Sequence, residues 1–580
     1  MKFSLVALAT LPFYAVAAPH CPGQPNGPPR VAEVRVDIPG ATGGTVIGVV
    51  TEVESFNGIP YADCPSGALR LRPPRKLSRA LGVFNATAAA PACPQMPPNT
   101  TEVLLPPLLG KDMTPEFWPD DLIRGQEDCL TVNVQRPKGT REGARLPVLF
   151  YIFGGGFTAG ATSANNAEKF LRFAEAQQKP HPFIFVGVNY RVGGFGFLAG
   201  SEVLEDGSTN LGLRDQRMGL EWVADNIAYF GGDPDRVTIW GQSSGSISVF
   251  DQLALYNGNA TYKQKPLFRS AIMNSGSVIP TERVDSHRAQ AIFDAVVEAA
   301  NCSEPATSKL DCLRNASFPT FYRAANSVPR ILDNSSLAIS YLPRPDGELL
   351  VDSPEVLANT GNYYAVPAIL TNQEDEGTLF AFAQRHVNDT DSLVDYLKET
   401  FFDKATREQV AGLVDTYPAD SADGSPFRTG DQNEWYEEAY GAGKGFKRVA
   451  AVIGDFVFTL ARRLALDGMA TSHPTVPLWS SLNSMAHGIV GFYGTGHGAD
   501  VNMIFDGLGI PALTTRSYYL NFLYTADPNN GTTEFRQWPK WTPQGRDLLW
   551  TNLLANRDLK DTFRNDSYTF LKENTELLYF

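Results

Sequence analysis

The sequence holds no CxxC pair and no cluster of His and Cys at metal-ligand spacing, so it offers no zinc or iron–sulfur site; no metal and no cofactor is expected. After the first residues it has no run of about 18 uninterrupted apolar residues, which excludes a membrane-spanning helix there. Internal repeats and low-complexity linkers are absent too, which removes repeat arrays and tethered modules. Positive charge is in short supply. Lys and Arg number 49 against 63 Asp and Glu, for a formal net charge of −14. That argues against nucleic acid as a partner and against simple attraction to anionic membranes, and it suits the solubility of an exported protein.

What is present is a large, glycine-rich and proline-rich globular chain. Its 580 residues are 43% hydrophobic, with 51 Gly and 41 Pro spread along the length. Length alone suggests about four average domains. Residues 1–18, with Lys2, an apolar stretch from Phe3 to Val16 and small residues at Ala17 and Ala18, read as a secretory signal peptide, so a secreted, extracellular protein is expected. Asn85, Asn99, Asn259, Asn301, Asn315, Asn334, Asn388, Asn530 and Asn565 each begin an N-x-S/T glycosylation acceptor. The six cysteines, Cys21, Cys64, Cys93, Cys129, Cys302 and Cys312, suit disulfides in an oxidising compartment, and spacing alone does not choose their pairing.

Short apolar runs alternate with helical patterns. Strands are expected at Leu146–Phe153, Pro182–Tyr190, Val237–Trp240, Ser270–Asn274, Val366–Thr371 and Val476–Ser480. Between the second and third, Leu220, Val223, Ile227 and Phe230 recur at helical spacing within Leu213–Phe230. Strand–helix alternation predicts an α/β protein with a mostly parallel sheet covered on both faces, whose sites lie at the carboxyl ends of the strands.

Just past one such end stands Ile239-Trp-Gly-Gln-Ser-Ser-Gly-Ser246. The G-x-S-x-G frame fits Ser243 alone, because Ser244 would need glycines where Gln242 and Ser246 stand. The frame marks a sharp strand-to-helix turn that exposes a nucleophilic serine. Three glycines, Gly154, Gly155 and Gly156, follow the strand from Leu146 and can turn N–H groups into a cavity, as an oxyanion hole requires. After the strand ending at Thr371, Glu374, Asp375 and Glu376 compete as the acid. Later in the chain, His487 and His497 compete as the base, whereas His386 and His473 read as surface positions.

Several stretches together resemble the type-B carboxylesterase/lipase family of α/β-hydrolases, which includes fungal secreted lipases and cholinesterases. They are Glu127–Val134, the Phe153–Phe157 glycine loop, Asn189–Arg191, Asn210–Gln216, Phe230–Pro234, the serine turn, Asn274–Ser277, Asp375–Gly377 and Ala526–Asn529 with Trp538-Pro539. The likeness spans nearly all of residues 19–580 and implies one large domain: a mostly parallel central sheet with helices on both faces and long excursions. It implies Ser243 as nucleophile, Glu376 as acid and His497 as base, with Gly155, Gly156 and Ser244 donating backbone N–H groups to the oxyanion. It also implies the disulfides Cys93–Cys129 and Cys302–Cys312, leaving Cys21 and Cys64 to pair by elimination. Three positions depart from the family pattern, one of them Ser244 where Ala is common. Gln242 stands where Glu is common, and Phe153 stands where many relatives have His.

The expected activity is hydrolysis of carboxylic esters through an acyl-enzyme, with a small-molecule or lipid ester as substrate. The segment 93–129 holds Val103–Leu109 and Phe117-Trp118, an apolar tethered loop suited to a lid at a lipid–water interface. A cholinesterase-like alternative would use Trp118 as a cation–π platform. A catalytically silent adhesion relative would typically lack the serine, which this chain has. No oligomeric state is implied.

Overall fold

The computed structural model describes residues 32–97, 125–304, 308–430, 445–487, 489, 491, 493–531 and 534–580. The expected signal segment 1–18, Cys21, Asn99, and residues 98–124 of the expected lid, with Trp118, lie outside them.

The described residues form strands β1 (Ala32–Ile38), β2 (Gly44–Val50), β3 (Glu54–Pro60), β4 (Gly82–Asn85), β5 (Thr131–Arg136), β6 (Leu146–Ile152), β7 (Ile184–Val188), β8 (Gly232–Gln242), β9 (Thr261–Tyr262), β10 (Lys265–Pro266), β11 (Ser270–Asn274), β12 (Ala368–Gln373), β13 (Leu478–Asn483), β14 (Lys540–Trp541), β15 (Asp547–Thr551) and β16 (Arg557–Lys560). Fourteen make one sheet in the order β1-β2-β3-β5-β7-β6-β8-β11-β12-β13-β15-β16, with β4 beside β2 and β14 beside β13; β9 and β10 form a separate pair.

From β7 to β15 the neighbours run parallel, and antiparallel strands close both flanks. This is the α/β-hydrolase architecture that the resemblance implies. The central strands are buried on both faces, because helices cover each side of a parallel sheet. Hence they read as continuous apolar runs rather than alternating ones.

Expected and observed elements agree in kind and differ at their ends. The run Pro182–Tyr190 is a strand only over Ile184–Val188. The run Val237–Trp240 is the middle of the eleven-residue β8. The helix expected at Leu213–Phe230 spans Leu211–Asn226 and tightens into a final turn at Ile227–Phe230, with Leu220, Val223, Ile227 and Phe230 all buried.

Cys93 and Cys129 are bonded, with Cα atoms 5.0 Å apart, and so are Cys302 and Cys312, at 5.7 Å. On the chain-entropy view the 36-residue separation of the first bridge contributes roughly 4 kcal/mol. Cys64 carries no disulfide among the described residues; its thiol lies 3.1 Å from Ser66 Oγ, and its expected partner, Cys21, lies outside them. Every acceptor asparagine that is described is exposed: Asn85, Asn259, Asn301, Asn315, Asn334, Asn388, Asn530 and Asn565.

The carboxyl ends of the parallel strands share one edge. Ile152 is in register with Gly241, Gln242 with Asn274, Asn274 with Thr371, and Thr371 with Ser481. All the sequence-predicted site residues follow strands that end here.

Candidate active site

Ser243 occupies the turn between β8 and the helix Ser244–Gly258, at φ 56° and ψ −129°. A non-glycine residue holds such a conformation only where its surroundings impose it. Two neighbours explain how. A Cβ on Gly241 would lie 2.1 Å from Gly245 O, and one on Gly245 would lie 2.1 Å from Ile152 O. The two glycines of the frame therefore let β8, the helix and the end of β6 meet without side chains between them. Ser243 N donates to Asn274 O at 2.9 Å, which fixes the turn to β11.

The glycine loop lies against this turn. A Cβ on Gly154 would fall 2.8 Å from Ser243 Cβ. Gly155 and Gly156 have φ of 126° and 62°, values that glycine adopts without strain. The loop closes through Thr158 N and Ala159 N, both donating to Gly155 O at 3.1 Å, and among the described residues the N–H groups of Gly155 and Gly156 donate to no backbone acceptor. Phe153, standing where relatives often have His, stacks on Tyr190 with ring centroids 4.3 Å apart. The Tyr190 hydroxyl donates to Phe153 O at 2.7 Å. Aromatic stacking and one buried hydrogen bond thus anchor the start of the loop.

Of the three competing acids, only Glu376 reaches a histidine. Its Oε2 lies 2.5 Å from His497 Nδ1, while Oε1 accepts from Gln373 N at 2.8 Å and Asn372 Nδ2 at 3.0 Å. Glu376 is buried, and Gly377 allows its sharp turn, since a Cβ there would lie 1.9 Å from Ala450 O. Glu374 instead pairs with Arg428 at 2.6 Å, and Asp375 accepts backbone donors. The competing histidine, His487, has no hydrogen-bond partner on Nδ1 among the described residues. His386 is exposed as expected. His473 is half-buried, with Nε2 3.1 Å from Gly361 O, because it packs beneath Tyr363.

A hydrogen bond from Nδ1–H to the Glu376 carboxylate selects the tautomer whose Nε2 carries a lone pair. That Nε2 meets the Gln242 side-chain nitrogen at 3.1 Å, and among the described residues Ser243 Oγ makes no hydrogen bond to it. The structure therefore brings Glu376 and His497 into contact and sets Ser243 beside them on the same edge, with the Gln242 amide at the atom that would receive the serine proton. The imidazole is walled by Phe380 and Phe458, with centroids 5.2 and 4.6 Å from its own. Phe458 sits on a π-helical turn, Asp455–Thr459, a local widening common at functional sites.

Two polar residues beneath the site, Asn274 of the Asn274–Ser277 stretch and Asp500 shortly after His497, were given no role of their own by the sequence. Asn274 Oδ1 accepts from Trp240 Nε1 at 2.5 Å, and its amide nitrogen lies 2.6–2.7 Å from Asp500 Oδ2, Thr371 Oγ1 and Tyr519 OH. Asp500 also receives Thr371 Oγ1 at 2.7 Å, and its burial pushes its carboxyl above the usual range. This network ties the ends of β8, β11 and β12 to the helix Ala499–Phe505 that follows His497. Its sequence signal was a polar Asn and an Asp flanking otherwise apolar segments, with Asn274 inside one of the stretches that carry the resemblance.

The arrangement has known counterparts. The model of the carboxylesterase family matches residues 32–571. The secreted triacylglycerol lipase LIP1 of Gibberella zeae is 50% identical over 574 residues, covering 97% of this chain and 93% of the relative. Secreted lipase 1 of Botryotinia fuckeliana is 46% identical, covering the full length of both. Among solved structures, EstA of Aspergillus niger superposes with a TM-score of 0.76 at 25% identity, covering 95% of this chain and 99% of that one.

Proposed function

The chain belongs to the carboxylesterase family and is a carboxylic ester hydrolase, and from that premise we propose that Ser243, His497 and Glu376 form its catalytic triad. The observation that carries this reading is the 2.5 Å contact between His497 Nδ1 and the buried Glu376 carboxylate, beside a serine held at φ 56° on a sheet edge. Ser243 Oγ attacks the ester carbonyl carbon while His497 Nε2 takes its proton. Glu376 orients the ring and stabilises its charged form, and the N–H groups of Gly155, Gly156 and Ser244 receive the oxyanion. His497 then protonates the leaving alcohol, and water repeats the sequence on the acyl-enzyme to release the acid. The Gln242 amide, which donates to Nε2 at rest, yields that position as the serine turns toward it.

The substrate in this reading is an apolar ester of the triacylglycerol type. Support comes from the names of the two fungal relatives and from the aromatic walls that Phe380 and Phe458 set around the base. The protein acts outside the cell, in keeping with the relatives' description as secreted, two disulfides and exposed glycosylation acceptors.

The test uses p-nitrophenyl esters of rising chain length, triglyceride emulsions and a labelling organophosphate. Ser243→Ala is expected to lower kcat by roughly 10⁵- to 10⁶-fold, and Ser244→Ala to change it little, since Ser244 acts through its backbone. Label recovered on Ser244 or Ser246 would overturn the assignment.

A further inference from the structure

Asp375 stands between the strand end that supplies Glu376 and the turn that supplies His497, and it is bonded to both sides. Its N–H donates to Thr495 O at 3.1 Å, and its Oδ2 accepts Thr495 N at 2.8 Å. A parallel bridge pairs it with Gly496, the residue before His497. Its Oδ1 accepts Phe427 N at 2.8 Å and Ser425 Oγ at 3.1 Å, so a third segment is fastened at the same carboxylate. The fit is close: a Cβ on Gly494 would lie 2.1 Å from Asp375 Oδ2. Asp375 is fully buried. Every one of these partners is a neutral donor; among the described residues no cation forms an ion pair with the carboxylate.

We propose that Asp375 is a positioning residue for the reaction: its ionised carboxylate clasps the His497 turn to the Glu376 strand end, and protonating it loosens that clasp. This rests on the triad reading above. As a carboxylate, the side chain offers acceptors to all three donors. As an acid, it loses the charge that strengthens these bonds, and its proton faces two N–H groups and the Ser425 hydroxyl, which accepts it only by reversing its own hydrogen bond.

Burial, aided by the neighbouring Glu374 charge, pushes the group up to about 7, against the three hydrogen bonds that favour ionisation. The charged and titratable groups around it are few. Glu374 and Glu376 flank it in sequence, and Arg428 in the Ser425 segment is held by Glu374 at 2.6 Å. Lys447 lies behind that segment, its carbonyl accepting Ser425 N and its ammonium donating to Thr429 and Gly430. The base turn contributes Tyr493 and His497. Loss of the clasp therefore comes as pH falls through about 7.

The experiment measures kcat and KM for p-nitrophenyl butyrate across the acid limb, with thermal melting at pH 8 as the folding control. In the wild type, the Asp375 proton is expected to add about one unit to the slope of log kcat as pH falls through about 7. Asp375→Asn is expected to lower kcat about tenfold to a hundredfold at pH 8, as a displaced base would, with KM within about twofold and an acid slope shallower by about one unit. Organophosphate labelling of that variant separates the two readings. Label on Ser243 with altered kinetics supports both, whereas label elsewhere overturns the triad assignment. Wild-type kcat and an unchanged acid limb in Asp375→Asn would overturn the clasp. If that variant does not fold, Ser425→Ala decides. Removing one donor raises the carboxyl further, so the steep part of the limb moves to higher pH by roughly half a unit or more; an unmoved limb overturns the proposal.

Discussion

Two aspartates, Asp375 and Asp561, are equally inaccessible to solvent and behave in opposite ways. Asp561 lies just after β16, where Arg462 donates at 2.8 and 2.9 Å and Arg463 at 2.8 and 3.0 Å. Burial alone would raise its carboxyl, but the two guanidinium groups outweigh burial and bring it down to about 2. Asp375 meets only neutral donors and a neighbouring carboxylate, so burial prevails and moves it up to about 7. The difference teaches what each region is built for. A carboxylate locked between two cations is a permanent fastening for the helix Leu460–Ser472 and the carboxy-terminal strands. A carboxylate held by neutral donors can take up a proton within the fold, and beside His497 that makes it a fastening that can be released.

The sharpest way to test this division is to damage one region and read the other. Glu376→Gln keeps the shape of the acid but removes the charge that orients and stabilises the imidazolium. It is expected to cost about 10⁴-fold in kcat, with little change in the denaturant midpoint. A comparable fall in stability would mean that the site carchemistry and the framework are not separable. Asp561→Asn is the converse. It leaves Arg462 and Arg463 buried and uncompensated, so unfolding in urea should show a loss of about 3–5 kcal/mol, while kcat per folded molecule stays near the wild-type value.

The smallest effect concerns pH, and the two aspartates should act with opposite sign. Asp561 has a folded pKa below its ordinary value, so its stabilisation is present above about pH 4. It is lost as pH falls toward 2, a contribution of about 2 kcal/mol. Asp375 has a raised folded pKa. Its contribution is present below about pH 4 and is lost as pH rises through about 7. Urea unfolding at stepped pH should therefore flatten on the acid side in Asp561→Asn and on the neutral side in Asp375→Asn. Identical pH dependence in both variants and the wild type would dissolve the comparison.

The serine turn was legible because its chemistry is local. The glycines at 241 and 245 are demanded by contacts within one strand–turn–helix unit, so the frame carries its own explanation. The central strands were legible for a similar reason, since burial on both faces leaves an unbroken apolar run. The choice among Glu374, Asp375 and Glu376 was not local. All three are acidic, adjacent and substantially buried, and motif spacing could only rank them by resemblance. What separates them is which partner each meets: Arg428, backbone N–H groups or His497.

The sequence by itself determined the class of chemistry and the layout of the chain. The strand–helix alternation and the glycine-flanked serine follow from short-range sterics and periodicity, which each segment expresses alone, whereas the acid and the histidine were ranked by resemblance. Only the tertiary structure decided that Glu376 and His497 touch, that Gln242 meets Nε2, and that the carboxyls of Asp375 and Asp561 shift in opposite directions. Contacts across 121 residues of chain, as between Glu376 and His497, depend on where the packed sheet sets its strand ends. The charge state of a buried carboxyl depends on whether the fold brings it a cation, and no window of sequence around the residue contains that information.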